Sequence, residues 1–171
     1  MLKKNITLIG FQSSGKTTIG QQLALKLKKQ FVDTDHLIEQ KFIPLKCTQI
    51  YQQIGDESFR KHESEIIKRL ENDVNIVIAT GGGGIILEEN QISLKQHSVL
   101  IYLRTPLELI KQRILTAKEL PTYLDEKNPE DSLTRIYNFR STIYESCADI
   151  VIDMNFQSPQ YSLDLIIDYL K

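Results

Sequence analysis

Apolar positions in this chain fall into blocks of two kinds. Runs rich in isoleucine and valine at Asn5–Ile9, 76–80, 98–103 and 149–153 are bounded by turn formers, which is the pattern of strands buried on both faces. A shorter run, Gln30–Asp33, is a fifth candidate. Between the runs, apolar residues return every three or four positions. They do so at Ile19, Leu23 and Leu27, and again at Leu107, Ile110 and Ile114, which is helical spacing. Strand and helix therefore alternate, and a parallel crossover needs a dozen or more residues, usually a helix. The pattern predicts an α/β fold, a parallel sheet covered by helices on both faces, with ligands at the carboxyl ends of its strands.

Length and composition support one domain over residues 1–171: 41% of the residues are hydrophobic, 25% are charged, and no linker, repeat or low-complexity tract divides them. The polar, proline-containing stretch 116–129 reads as a mobile loop. A formal charge of −1 gives no general attraction to nucleic acid or to an anionic membrane, so any cationic site must be local. Cys47 and Cys147 stand far apart without metal-site spacing, which argues against a disulfide framework or zinc and suits a reducing cytoplasmic setting. The basic start is followed by too short an apolar run for a signal peptide, no run approaches transmembrane length, and nothing demands a partner chain. A cytoplasmic monomer is expected.

The strongest chemical signal is Gly10-Phe11-Gln12-Ser13-Ser14-Gly15-Lys16-Thr17. It matches GxxxxGK[ST] and sits where that motif must, between a predicted strand and a predicted helix. The glycines let backbone N–H groups converge on phosphate oxygens, Lys16 adds a point charge, and the Thr17 hydroxyl can ligate Mg²⁺. Nucleotide binding follows, but many ATPases, GTPases and kinases share this loop, so the acceptor must be found elsewhere.

Three further stretches bear on the acceptor. Asp33 and Asp35 follow the second candidate strand; a carboxylate there can take the proton of an attacking hydroxyl, and another can hold a metal's water shell. Either could instead cap a helix starting near His36. Arg60 and Glu63, on a helix beginning near Gly55, are spaced i,i+3, so a carboxylate can steady a guanidinium for a ligand's own carboxylate, although a plain surface pair has the same spacing. Thr80-Gly81-Gly82-Gly83-Gly84 follows the strand at 76–80 and permits close backbone approach.

Taken in order, the phosphate loop, Phe31 with Asp33 and Asp35, Gly55 with Glu57, Phe59, Arg60 and Glu63, the glycine run, and Arg140 with Tyr144 resemble the shikimate kinase family over nearly the whole chain. The resemblance implies a three-layer P-loop kinase of the nucleoside monophosphate kinase type. It would have a five-stranded parallel sheet, a substrate-binding region at about 34–61 and a mobile lid at about 112–125. It implies transfer of phosphate from ATP, with Mg²⁺, to the 3-hydroxyl of shikimate, a step toward chorismate and the aromatic amino acids. Carried over by position, Ser13, Ser14, Gly15, Lys16, Thr17 and Thr18 wrap the phosphates, and Thr17 and Asp33 hold the metal. Asp35 binds ring hydroxyls and assists deprotonation. Arg60 and Arg140 grip the carboxylate, Gly82 offers its backbone, Glu63 orients Arg60, and Arg113 and Gln157 are weaker matches to nucleotide contacts.

Two positions depart from the family pattern. Ser13 stands where a glycine is usual, which costs about 1–2 kcal/mol if the position needs positive φ. Leu120 stands before Pro121 where a lid arginine is expected, and Lys118 is the nearest substitute for that charge, a catalytic candidate beside Lys16 and Asp35. Two other readings stay open: another small-molecule kinase of the same loop class, such as a gluconate kinase, and a nucleotide-binding regulatory protein with impaired turnover.

Overall fold

The computed structural model describes residues 5–155 and 158–171, so Gln157 lies outside the described residues. The five apolar runs form parallel strands β1 (Asn5–Ile9), β2 (Gln30–Asp33), β3 (Ile76–Ala79), β4 (Ser98–Arg104) and β5 (Ile150–Asp153), in the spatial order β2-β3-β1-β4-β5. The crossovers use α1 (Lys16–Leu27), α2 (Thr34–Lys41), α3 (Cys47–Leu70), α4 (Glu88–His97), α5 (Leu107–Leu115) and α6 (Pro129–Cys147), and α7 (Pro159–Tyr169) follows β5.

The consecutive apolar residues of each strand serve opposite faces, as the side-chain period of two requires. Ile6, Leu8, Val77, Ile101 and Leu103 meet α1 and α7 through Ile19, Leu23 and Leu163 on one side. Ile9, Ile78, Leu100 and Tyr102 meet α3, α4 and α6 through Ile66, Leu94 and Leu133 on the other. Each such side chain contributes about 1.5–3 kcal/mol on leaving water, so three layers are the consequence of two-sided strands.

Register sets up the site. Leu8 of β1 pairs with Ala79 of β3, and Ala79 pairs with Asp33 of β2, so the loops leaving these strands open side by side. From β1 the chain runs to α1 on one face, and from its neighbour β3 it runs to α4 on the other. A crevice lies at such a switch in direction.

Three details differ from the sequence reading. In α5 the buried stripe is Leu109, Ile110 and Ile114, with Leu107 only half-buried, because the helix begins there, after Pro106. The helix expected from Gly55 starts earlier, at Cys47, and is broken at Gly55, whose φ of 78° and ψ of 170° are not helical. The span 116–128 forms neither helix nor strand, as a loop should, but it adds residues that the sequence reading did not place: Leu124 is buried in the core, and Tyr123 packs edge-on against Phe11 of the phosphate loop.

Candidate active site

The loop after β1 turns sharply because Gly15 takes a φ of 94°, a region that L side chains reach only with strain. α1 starts immediately afterwards with no acidic residue in its first turn, so its leading amides face outward, unpaired within the helix. Ser13 has a φ of 63°, so the departure from glycine does place a side chain in the left-handed region. Its carbonyl accepts a hydrogen bond from Arg113 Nη1 at 2.7 Å. Lys16 is buried and folds back on the loop, donating to the carbonyl oxygens of Gly10 at 2.9 Å and Phe11 at 2.7 Å. Burial pushes its pKa down to about 8, against the pull of Asp35 and Asp33.

Asp33 performs two tasks. Its Oδ1 accepts from the backbone N–H groups of Asp35 and His36 at 3.0 and 3.3 Å, capping α2. Its Oδ2 accepts from the Thr17 hydroxyl at 2.8 Å. A hydroxyl and a carboxylate meeting at the phosphate loop are hard oxygen donors, and Mg²⁺ takes one or two such protein groups with water and phosphate for the rest. The residues present therefore fit that ion.

Asp35, in the first turn of α2, lies beside the glycine run. Desolvation, then the charges of Glu63 and Asp33, push its pKa up to about 7, with Lys16 opposing. Gly81 makes room for it: a Cβ there would overlap Asp35 Oδ1 and stand 3.0 Å from Glu63 Oε1. A Cβ on Gly83 would overlap the guanidinium of Arg60. An added Cβ at either position would therefore force Asp35 or Arg60 out of its place.

Arg60 and Arg140 both line the same cleft as Lys16 and Asp35, a cavity of about 530 Å³, but they are held differently. Arg60 donates to Glu63 Oε2 at 2.5 Å and to Asp56 Oδ1 at 3.2 Å. Arg140 is buried and, among the described residues, has no hydrogen-bond or ion-pair partner; its guanidinium lies over the rings of Phe11 at 5.5 Å and Tyr123 at 5.0 Å. One turn along α6, Tyr144 donates its hydroxyl to the Gly82 carbonyl at 2.5 Å, joining the helix that carries Arg140 to the glycine run.

The cleft therefore brings together Ser13, Gly15, Lys16, Thr17, Thr18, Asp33, Asp35, Arg60, Gly82 and Arg140. Ser14 is buried behind them, its Oγ 3.4 Å from Lys16 Nζ. Arg113 touches the loop from outside the cavity wall. Lys118 is exposed and does not line the cleft. Sequence reasoning gave no role to Cys47, Tyr51, Phe59 or Tyr123, all of which line it. The Cys47 thiol donates to the Asp35 carbonyl at 3.4 Å, and burial pushes its pKa up, so it stays protonated.

Comparison with known proteins gives concordant results. The family model described as "Shikimate kinase" matches residues 12–171. Shikimate kinases from Haemophilus influenzae (strain PittEE) and Histophilus somni are 35% and 37% identical to the chain. Each alignment spans 98% of this chain, and they cover 93% and 95% of those proteins. The structure of shikimate kinase from Acinetobacter baumannii in complex with shikimate superposes with a TM-score of 0.90 at 34% identity, covering 99% of this chain and 93% of that one. The Aquifex aeolicus shikimate kinase structure gives 0.84 at 32%, covering 97% and 95%.

Proposed function

The chain belongs to the shikimate kinase family and is an enzyme that phosphorylates shikimate, and from that premise we propose how its cleft does so. ATP lies with its phosphates in the loop 10–17 and shikimate lies across the cleft, its carboxylate between Arg60 and Arg140. The 3-hydroxyl oxygen attacks the γ-phosphorus, a new O–P bond forms as the bond to the β-phosphate oxygen breaks, and ADP leaves. The hydroxyl proton passes to Asp35, whose raised pKa suits it to accept a proton near neutrality. The product, shikimate 3-phosphate, is an intermediate of aromatic amino acid biosynthesis.

Lys16 supplies the fixed positive charge on the donor side. Unloaded, it is occupied by the Gly10 and Phe11 carbonyls; with ATP bound it exchanges them for phosphate oxygens, where charge builds in the transition state. Thr17 and Asp33 would hold Mg²⁺, which when bound neutralises phosphate charge. Arg113 stands at the phosphate loop, on the nucleotide side, and a nucleotide contact is assigned to Gln157, which lies outside the described residues. Lys118 is assigned the lid charge, in place of the arginine that Leu120 replaces, on closure of the 116–128 span. Among the described residues no helix is long and apolar enough to cross a membrane. The two free thiols support a reducing, cytoplasmic setting, and one chain carries the groups named here, which supports a monomer.

The observation that carries this reading is Arg140, a buried cation without an anionic partner. An unpaired buried charge is costly, and a ligand carboxylate in bidentate contact repays it. Shikimate titrated calorimetrically into Arg60→Ala and Arg140→Ala should show at least about tenfold weaker binding, each variant having lost a charge-assisted pair. An unchanged nucleotide affinity is expected beside it. Wild-type shikimate affinity in both variants would remove the carboxylate from this end of the cleft.

A further inference from the structure

Arg60 and Arg140 would grip one carboxylate, yet only Arg60 is positioned by its own helix, through Glu63 and Asp56. Arg140 depends on rings from two other segments, Phe11 on the phosphate loop and Tyr123 on the span between α5 and α6. The Tyr123 hydroxyl also donates to Gln12 Oε1 at 2.9 Å, next in sequence to Phe11. Burial pushes the phenol's pKa up to about 12, so it remains a donor throughout the working range. The neighbouring Leu120 is 36% exposed and has no charge to offer.

We propose that Tyr123 is a positioning residue for acceptor recognition: its ring, set edge-on to that of Phe11, completes an aromatic corner against Arg140, and its hydroxyl fixes that corner to the phosphate loop. The span 116–128 thereby acts on the carboxylate end of the acceptor through a π face, in addition to any charge it brings to the phosphates. A guanidinium held by aromatic rings rather than by an anion keeps its N–H groups free for a carboxylate. The same contact ties the two substrates together: placing Tyr123 needs Gln12 in its phosphate-loop position, and placing Arg140 needs Tyr123. This inference rests on the reading of Arg60 and Arg140 as the carboxylate site.

The experiment compares shikimate with its carboxamide, neutral at the same position, by calorimetric titration into wild type, Tyr123→Phe, Tyr123→Leu and Tyr123→Met. Steady-state kinetics on each variant supply KM and kcat. Wild type should prefer the carboxylate. Leucine and methionine, which keep bulk without a π face, should each lose about tenfold in shikimate affinity and raise its KM, with the carboxamide and ATP changed less than about twofold. Phenylalanine, which keeps the ring, should restore most of that affinity. The proposal is overturned if leucine and methionine both bind shikimate like wild type, or if they weaken acid and amide alike, which is what a merely structural plug would do. Should wild type itself fail to tell acid from amide, the carboxylate site falls and this inference with it; normal discrimination in wild type with an inert Tyr123 sinks this inference alone.

Discussion

At the scale of single residues, the proposed mechanism turns on two groups whose environments move them toward each other in pH. Asp35 is pushed up to about 7 and Lys16 down to about 8. The base is useful only above the first value, and the free enzyme's phosphate-binding charge declines above the second. The expected kcat/KM is therefore bell-shaped with its summit between them. Asp35→Asn should lower kcat by about 10²–10⁴ and abolish the acid limb; a rate profile with that limb intact would take the proton away from Asp35. The same carboxyl has a stability signature. Its folded pKa of about 7 exceeds its ordinary 3.8, so between those values the folded state holds more protons than the unfolded, and stability falls as pH rises through that window. Asp35→Asn removes this penalty. Its melting temperature should exceed that of wild type at pH 8, and the gain should vanish by about pH 4.

At the scale of elements, the glycine run and the span 116–128 show what pattern reading can and cannot reach. The strands were legible because two-sided burial forces consecutive apolar residues, and the phosphate loop because its chemistry fixes each position. The glycine run was legible as a place of close approach, but not what approaches: Asp35 against Gly81 and Arg60 against Gly83 come from segments distant in sequence. Gly83→Ala should displace the Arg60 guanidinium and raise the KM for shikimate about tenfold or more while leaving that for ATP near its wild-type value; equal effects on both substrates would mean a general distortion instead. The span 116–128 has no periodicity to read, so Tyr123 and its contacts were invisible in sequence. Lys118 in this span and Arg113 in the preceding α5 are separable by kinetics. Lys118→Ala should reduce kcat with little change in either KM, whereas Arg113→Ala, losing the bond to Ser13, should weaken ATP binding; unchanged turnover in Lys118→Ala would show that its charge plays no part.

At the scale of the whole molecule, the architecture converts sequence distance into a single crevice. Residues 10–17, 33–35, 60, 80–84 and 140 belong to five separate stretches, and the level carboxyl ends of β1, β2 and β3 bring the first, second and fourth together. Helices α3 and α6 then supply one arginine each to the same cavity. Alternation of strand and helix predicted the layers, but the strand order β2-β3-β1-β4-β5, which decides which loops are neighbours, leaves no trace in periodicity. Nor does sequence distinguish an arginine that owns a carboxylate partner, as Arg60 does, from one held only against aromatic rings, as Arg140 is among the described residues. Tyr51 and Phe59 occupy apolar helical positions that look like ordinary core, and only folding places them on the cleft. Because donor and acceptor share one cavity, phosphate release from ATP should be coupled to acceptor occupancy. A coupled assay of ADP release by the wild-type protein, with Mg²⁺ and ATP, run with and without shikimate, tests this directly. ADP release should rise many-fold on adding shikimate and match phosphorylated product mole for mole; a rate indifferent to shikimate would contradict the shared cleft on which the whole reading stands.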